Sequence, residues 1–185
     1  IPIQADPILE ANDLRTHFPV RRGLLRHTTG YVKAVDGVDI KVFSGETVGL
    51  VGESGSGKST LARTLLRLVE PSSGSISYDG RDITHLSARE MKVLRRDMQM
   101  IFQDTAGVMN PRMTVEEIVS EGLLIHGIGT AKTRRELVEN ALHLAGLSPE
   151  ALQRHPHEFC GGQRQRISVA RALVLKPRFV IADEP

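Results

Sequence analysis

Aromatic side chains, cysteine and long apolar runs are all scarce in this chain. There is no Trp, and Phe and Tyr together make up 4% of its 185 residues, so it has few platforms on which bases of single-stranded nucleic acid could stack. Lys and Arg number 24 against 22 Asp and Glu, a net charge of +2, and no segment masses the cations. A nucleic-acid partner is therefore not expected. Cys160 is the only cysteine, which excludes an internal disulfide and a Cys-based zinc framework and fits a reducing compartment. No apolar run approaches the roughly 18 residues of a membrane-spanning helix, and the N-terminal stretch lacks the basic and apolar blocks of a secretory signal. What is present, 40% hydrophobic and 25% charged residues, is ordinary for one globular domain carrying at most a subdomain.

Alternating apolar and polar positions predict strands over residues 8–18 and 31–43, separated by a basic loop at 21–26. Residues 46–51 predict a short strand that runs into a glycine-rich turn, and 58–69 carry leucines at helical spacing. A strand at 75–78 closes on the Asp79-Gly80 turn, a helix follows at 87–96, and 98–102 reads as a buried strand. Helices then take over between 104 and 159, at 115–126 and 132–145, the second with Leu137, Ala141, Leu144 and Ala145 on one face. A helix at 161–175, with Ile167, Ala170, Leu173 and Val174 in register, leads to a strand at 178–182. Strands alternating with helices predict an α/β domain with a largely parallel sheet.

Gly52-Glu53-Ser54-Gly55-Ser56-Gly57-Lys58-Ser59 matches GxxxxGK[ST] at every fixed position, with a strand predicted before it and a helix after it. Small residues let backbone N–H groups converge on phosphate oxygens, and the helix N-terminus adds partial positive charge. Lys58 supplies a mobile cation, the Ser59 hydroxyl is a magnesium ligand, and Thr60 continues the cradle. The pattern predicts a nucleoside triphosphate with Mg²⁺. The glycine spacing of a dinucleotide loop is incomplete here. Phe179-Val180-Ile181-Ala182-Asp183-Glu184 is an apolar strand ending in two acids, the form of a Walker B strand. There Asp183 holds magnesium through water and Glu184 polarises the attacking water.

Between these motifs lies Cys160-Gly161-Gly162-Gln163, opening a helix, and Gln103 ends a strand. The order P-loop, glutamine, Gly-Gly-Gln helix, acidic strand resembles the nucleotide-binding domain of ABC transporters. Ala34-Val35-Asp36-Gly37-Val38, Ile101-Phe102-Gln103-Asp104, Asn110-Pro111-Arg112-Met113-Thr114-Val115 and Pro156-His157-Glu158-Phe159 resemble its dipeptide and oligopeptide importer branch. The likeness covers essentially the whole chain. It implies a P-loop NTPase fold: a RecA-like parallel-sheet core with an N-terminal antiparallel β subdomain (1–103 and 160–185) and an inserted α-helical subdomain (104–159).

By position, the resemblance makes Gln103 the residue that touches magnesium and the attacking water and senses the membrane subunit. Residues 160–163 bind the triphosphate held by a second ATPase subunit, so ATP glues two such domains together. Tyr31 is the candidate for stacking on adenine. The helical lobe receives the transmembrane permease subunits, and a solute-binding protein and the permease choose the cargo. The expected activity is ATP hydrolysis energising peptide import, at the cytoplasmic face of the membrane. A non-transport ABC ATPase of DNA repair or translation is the alternative, as is an importer ATPase for nickel or glutathione. Homodimer and heterodimer are not distinguished.

The family usually has serine at position 160, whose hydroxyl donates across the dimer to the γ-phosphate. A thiol is the weaker, longer donor, so Cys160 is expected to weaken closure. Thr105 and Val108 stand where proline and serine are usual. The chain stops at Pro185, directly after the acidic strand, and reads as a fragment not active alone; the D-loop, switch histidine and C-terminal extension of the family lie beyond it. His155, His157 and Cys160 supply only three loosely spaced ligands and carry no metal assignment. Arg164, Arg166 and Arg171 are expected to pair on the helix surface or lend a positive field to the triphosphate.

Overall fold

The computed structural model of the chain describes residues 6–22, 27–103 and 105–184. They form two compact units, Ile1–Met91 and Lys92–Pro185. No described helix is long and apolar enough to cross a membrane.

The first unit is built on an antiparallel sheet of order β2-β1-β3-β4, from β1 (Leu9–Arg22), β2 (His27–Val42), β3 (Ser73–Tyr78) and β4 (Arg81–Asp82). Because β1 runs on to Arg22, the expected basic loop at 21–26 shrinks, and its remainder, 23–26, lies outside the described residues. Alternation along β1 and β3 turns Leu9, Ala11, Leu14, Ile76 and Tyr78 inward. Helix α1 (Lys58–Leu65) buries Leu61, Ala62, Thr64 and Leu65. It is tied to the sheet where Thr16 Oγ1 and Thr64 Oγ1 meet at 2.9 Å, both side chains buried. The Asp79-Gly80 turn joins β3 to β4 with φ of +51° and +75°, as its sequence predicts. Helix α2 (Ala88–Leu94) follows.

One expectation fails here. Residues 46–51 form no strand and enter no ladder, and Val48, Leu50 and Val51 are exposed, Val51 to 95%. The apolar residues before the glycine-rich turn predict a strand, but a strand exists only against a partner, and none pairs with this segment among the described residues.

In the second unit, β5 (Met98–Ile101) and β6 (Phe179–Ala182) pair in parallel, Met98 opposite Phe179 and Ile101 opposite Ala182. The crossover between them carries α3 (Thr105–Val108), α4 (Val115–Ile125), α5 (Ala131–Leu144), two 3₁₀ turns (Pro149–Ala151 and Pro156–Glu158) and α6 (Gly161–Leu173). Thr114 caps α4 and Glu117 answers it, the Thr114 amide donating to Glu117 Oε2 at 2.7 Å. Thr130 and Thr133 do the same for α5. Val115, Ile118, Val119 and Leu123 of α4, Val138 and Leu142 of α5, and Ile167, Ala170 and Val174 of the α6 segment share one apolar core. The helix that opens at Cys160 is thereby packed as part of the lobe that precedes it.

Candidate functional site

In the first unit the glycine-rich loop turns at Glu53–Ser56, where the Ser56 amide donates to the Glu53 carbonyl at 3.2 Å. Lys58 Nζ folds back over it and donates to the carbonyls of Gly52 and Glu53, both at 2.7 Å. Gly57 is the N-cap of α1 at φ +94°, with no side-chain cap and no acid in the first turn. Neither an N-cap side chain nor an acid of the first turn therefore serves the amides that open α1, a helix start of the kind that suits an anion. Ser59 and Thr60 lie in that first turn; the Thr60 carbonyl accepts from Thr64 Oγ1 at 2.8 Å.

The loop is seated on β2. Pairing passes from Thr16 opposite Val35 to His17 opposite Lys33, leaving Ala34 as the extra residue of a bulge. A Cβ on Gly57 would stand 2.0 Å from the Ala34 carbonyl oxygen, so only glycine permits this approach.

Tyr31, the expected adenine platform, lies opposite Pro19 on the β1–β2 hairpin and is 65% exposed. By the alternation of β1, Pro19 shares a face with His17, whereas Phe18 shares the face of Thr16, the one tied to α1. Phe18 is 42% exposed and pairs with Val32. Its signal in the sequence was an aromatic two positions beyond a residue that turns inward.

In the second unit β5 and β6 end level with each other, so Gln103 and the pair Asp183, Glu184 leave the same carboxyl edge. Gln103 Nε2 donates to Glu184 Oε2. Asp183 is 8% exposed, and its amide donates to the Ile101 carbonyl at 2.9 Å. Glu184 takes φ +48°, a left-handed conformation costing about 1–2 kcal/mol in a residue with a Cβ. Such backbones concentrate at working sites.

Cys160 is the N-cap of α6, and its amide donates to Gln163 Oε1 at 3.3 Å. Gly161 and Gly162 are exposed, and the first turn has no acid. The preceding turn is held by Glu158, which accepts from the His155 amide at 2.6 Å; that bond, with Arg154 beside it, holds the carboxyl below its usual range. Arg154 also lies 4.2 Å from the ring centre of buried Phe159 and donates to the Glu158 carbonyl. The rings of His155 and His157 stack at 5.6 Å.

Of the arginines of α6, Arg166 Nη1 donates to the Gly146 carbonyl at 3.0 Å. Arg171 reaches two other elements, donating to the Val108 carbonyl at 3.2 Å and to Glu121 Oε2 at 2.9 Å.

A family model described as ABC transporter matches residues 35–185. The oligopeptide transport ATP-binding protein AppF of Bacillus subtilis is 49% identical over 181 residues, covering 97% of this chain and 55% of that protein. A putative peptide import ATP-binding protein of Brucella ovis is 50% identical over 179 residues, covering 97% and 54%. The glutathione import ATP-binding protein GsiA of Pectobacterium atrosepticum is 48% identical over 184 residues, covering 100% and 30%. The chain thus spans about half the length, or less, of these relatives. Among solved structures, the dimeric bacterial ABC transporter cassette MJ0796 aligns with a TM-score of 0.84 at 27% identity, covering 95% of this chain and 73% of that one. Its post-hydrolysis dimer, bound to ADP and Pi, aligns as well at 28% identity, with the same coverage.

Proposed function

The chain belongs to the ABC transporter family, and from that premise we propose that it is the nucleotide-binding part of the ATP-hydrolysing subunit of a peptide importer. The observation that carries this reading is the start of α1: without a side-chain cap from Gly57, free of acids in its first turn, and closed by a lysine that donates to its own loop's carbonyls. Lys58 is held ready there, and a phosphate oxygen offers its ammonium a full charge in place of two carbonyl dipoles.

ATP enters as substrate. The amides at 55–60 take its β- and γ-phosphates, and Lys58 swings from Gly52 and Glu53 onto them. Phe18, rather than Tyr31, is the aromatic we assign to adenine, because it shares the Thr16 face of β1. The donor set of Ser59 hydroxyl, Gln103 amide oxygen and Asp183 carboxylate is all oxygen, which suits Mg²⁺. The Gln103 Oε1 is left for it because Nε2 is spent on Glu184. Magnesium, when bound, neutralises triphosphate charge. Glu184 Oε2 accepts the proton of the attacking water once Gln103 Nε2 yields it, and Gln103 then orients that water. Cys160, Gly161, Gly162 and Gln163 face the triphosphate of a second ATPase subunit, and closure of that dimer drives the permease from the cytoplasmic face of the membrane. The lobe at 104–159 is the part that meets the permease.

The relatives described above are named for transport or import, and their cargoes, oligopeptide and glutathione, are both short peptides. This supports a peptide-class cargo over a non-transport role. The test is calorimetry on the full-length protein with Mg-ATP, followed by uptake of a labelled oligopeptide by the complex in proteoliposomes. A wild-type protein without affinity for adenine nucleotides would overturn the proposal, and binding that Lys58→Ala leaves intact would overturn the site.

A further inference from the structure

Arg171 sits where three elements converge, and none of the motifs accounts for it. It lies near the end of α6, and its guanidinium donates through Nη1 to the Val108 carbonyl, the last residue of α3, and through Nη2 to Glu121 on α4. The ion pair is part-buried, at 35% and 41% side-chain exposure. Helix α3 has four residues. A helix that short closes about one internal hydrogen bond, so its own backbone does not fix its position, and its terminal carbonyls need outside donors. Arg171 is such a donor, and a cation suits the carboxyl end of a helix.

Gln103 is two residues upstream of α3, with its side chain on Glu184. At the other end, α6 begins at Gly161, directly after Cys160, and is held rigid against the lobe by Ile167 and Ala170. From Gly162 to Arg171 is roughly 13.5 Å of continuous helix at about 1.5 Å per residue. A displacement of the Cys160 end of α6 is therefore carried to the turn that follows Gln103.

We infer that Arg171 is a positioning residue that ties the helix opening at Cys160 to the α3 turn and so sets the contact of Gln103 with Glu184. This rests on the ATPase reading for its consequence in turnover. The tie itself can be read without it.

The planar fork of Arg serves both acceptors at once; the point charge of Lys does not. In the full-length protein, assembled with its partners, Arg171→Lys should lower kcat for ATP about tenfold, as misplacement of a reacting group does, with KM for ATP within about twofold. Amide hydrogen exchange over 105–109 should quicken about tenfold. The double change Arg171→Glu with Glu121→Arg restores the ion pair between α4 and α6 but removes the donor that α6 extends to Val108. Its Tm should return towards the wild-type value while kcat stays low and exchange at 105–109 stays fast.

Wild-type exchange at 105–109 in Arg171→Lys overturns the inference, and so does a double variant whose kcat and exchange recover together with Tm, since Arg171 would then be only a structural brace. A wild-type protein without Mg-ATP affinity would refute the proposed function, and the exchange measurement would still decide the tie.

Discussion

Replacing Gly57 with alanine isolates the contact on which the phosphate loop is built. Gly57 takes φ +94°, and an added Cβ would meet the Ala34 carbonyl oxygen at 2.0 Å, well inside the 3.0 Å that real Cβ atoms keep. Gly55, two residues earlier, takes φ +80° and has nothing within 4 Å of its Cβ position. Both substitutions carry the left-handed backbone penalty of about 1–2 kcal/mol; Gly57→Ala alone must also push the start of α1 about 1 Å from the β2 bulge, against close-packed surroundings. We expect Gly55→Ala to cost about 1–2 kcal/mol in urea denaturation of the full-length protein. Gly57→Ala should cost at least about 1.5 kcal/mol more and weaken Mg-ATP binding by calorimetry at least about tenfold further, since about 1.4 kcal/mol is a factor of ten. Equal losses in the two variants would refute the reasoning, because the contact with Ala34 would then contribute nothing.

Glu184→Gln keeps the shape of the side chain and removes the base, so ATP turnover should fall about 10²- to 10⁴-fold with nucleotide affinity kept; hydrolysis at the wild-type rate would remove Glu184 from its role. Cys160→Ser supplies a stronger, shorter donor and should tighten the ATP-dependent dimer in sedimentation at fixed Mg-ATP, whereas an unchanged dimer constant would leave the thiol without consequence. His126 titrates below its ordinary value because burial, then Lys92 and Arg96, disfavour its proton against the pull of Asp97; the unfolded chain binds that proton more readily, so stability rises with pH through the interval below about 6.5 and levels off above it. Thermal denaturation should show this rise, and a slope unaltered in His126→Gln would contradict it. Thr114→Ala removes the cap of α4 and should cost about 1 kcal/mol in denaturant, with Thr114→Ser close to neutral.

How much of this was legible beforehand depended on the range of the interaction responsible. The glycine-rich turn that opens the helix at Lys58, the Asp79-Gly80 turn and the apolar strand before Asp183 are written in a few neighbouring residues, and each was found at its expected position. Residues 46–51 mislead because a local side-chain pattern reports only composition and order, while a strand also needs a partner, which is a non-local fact. The adenine platform we propose, Phe18, turns on which face of β1 looks towards α1. That face is set by Thr16 meeting Thr64 across 48 positions and is invisible in a window of ten. The partners of Arg171 escaped for the same reason: its acceptors lie 63 and 50 positions away, and only the packing of α3, α4 and α6 brings them to one guanidinium.

The helix starts separate the structural from the functional parts of this chain. Thr114 and Thr130 cap α4 and α5 with side-chain oxygens, and α4 adds Glu116 and Glu117 in its first turn, the arrangement that best satisfies bare amides and the helix dipole. Helix α1 has Gly57 and no acid; α6 has Cys160, a weak sulfur acceptor, and no acid. A chain selected for stability alone would gain about 1 kcal/mol from Ser or Asp at either N-cap. Instead α1 starts on Gly57 and α6 on the weak acceptor Cys160, and their first turns carry Lys58-Ser59-Thr60 and Gly161-Gly162-Gln163 without an acid. An oxygen supplied there by the protein would occupy the amides that a phosphate must reach, and a carboxylate would repel it. The weak N-caps and absent acids thus leave the first turns of α1 and α6 compatible with an anion, as the proposed function requires of both.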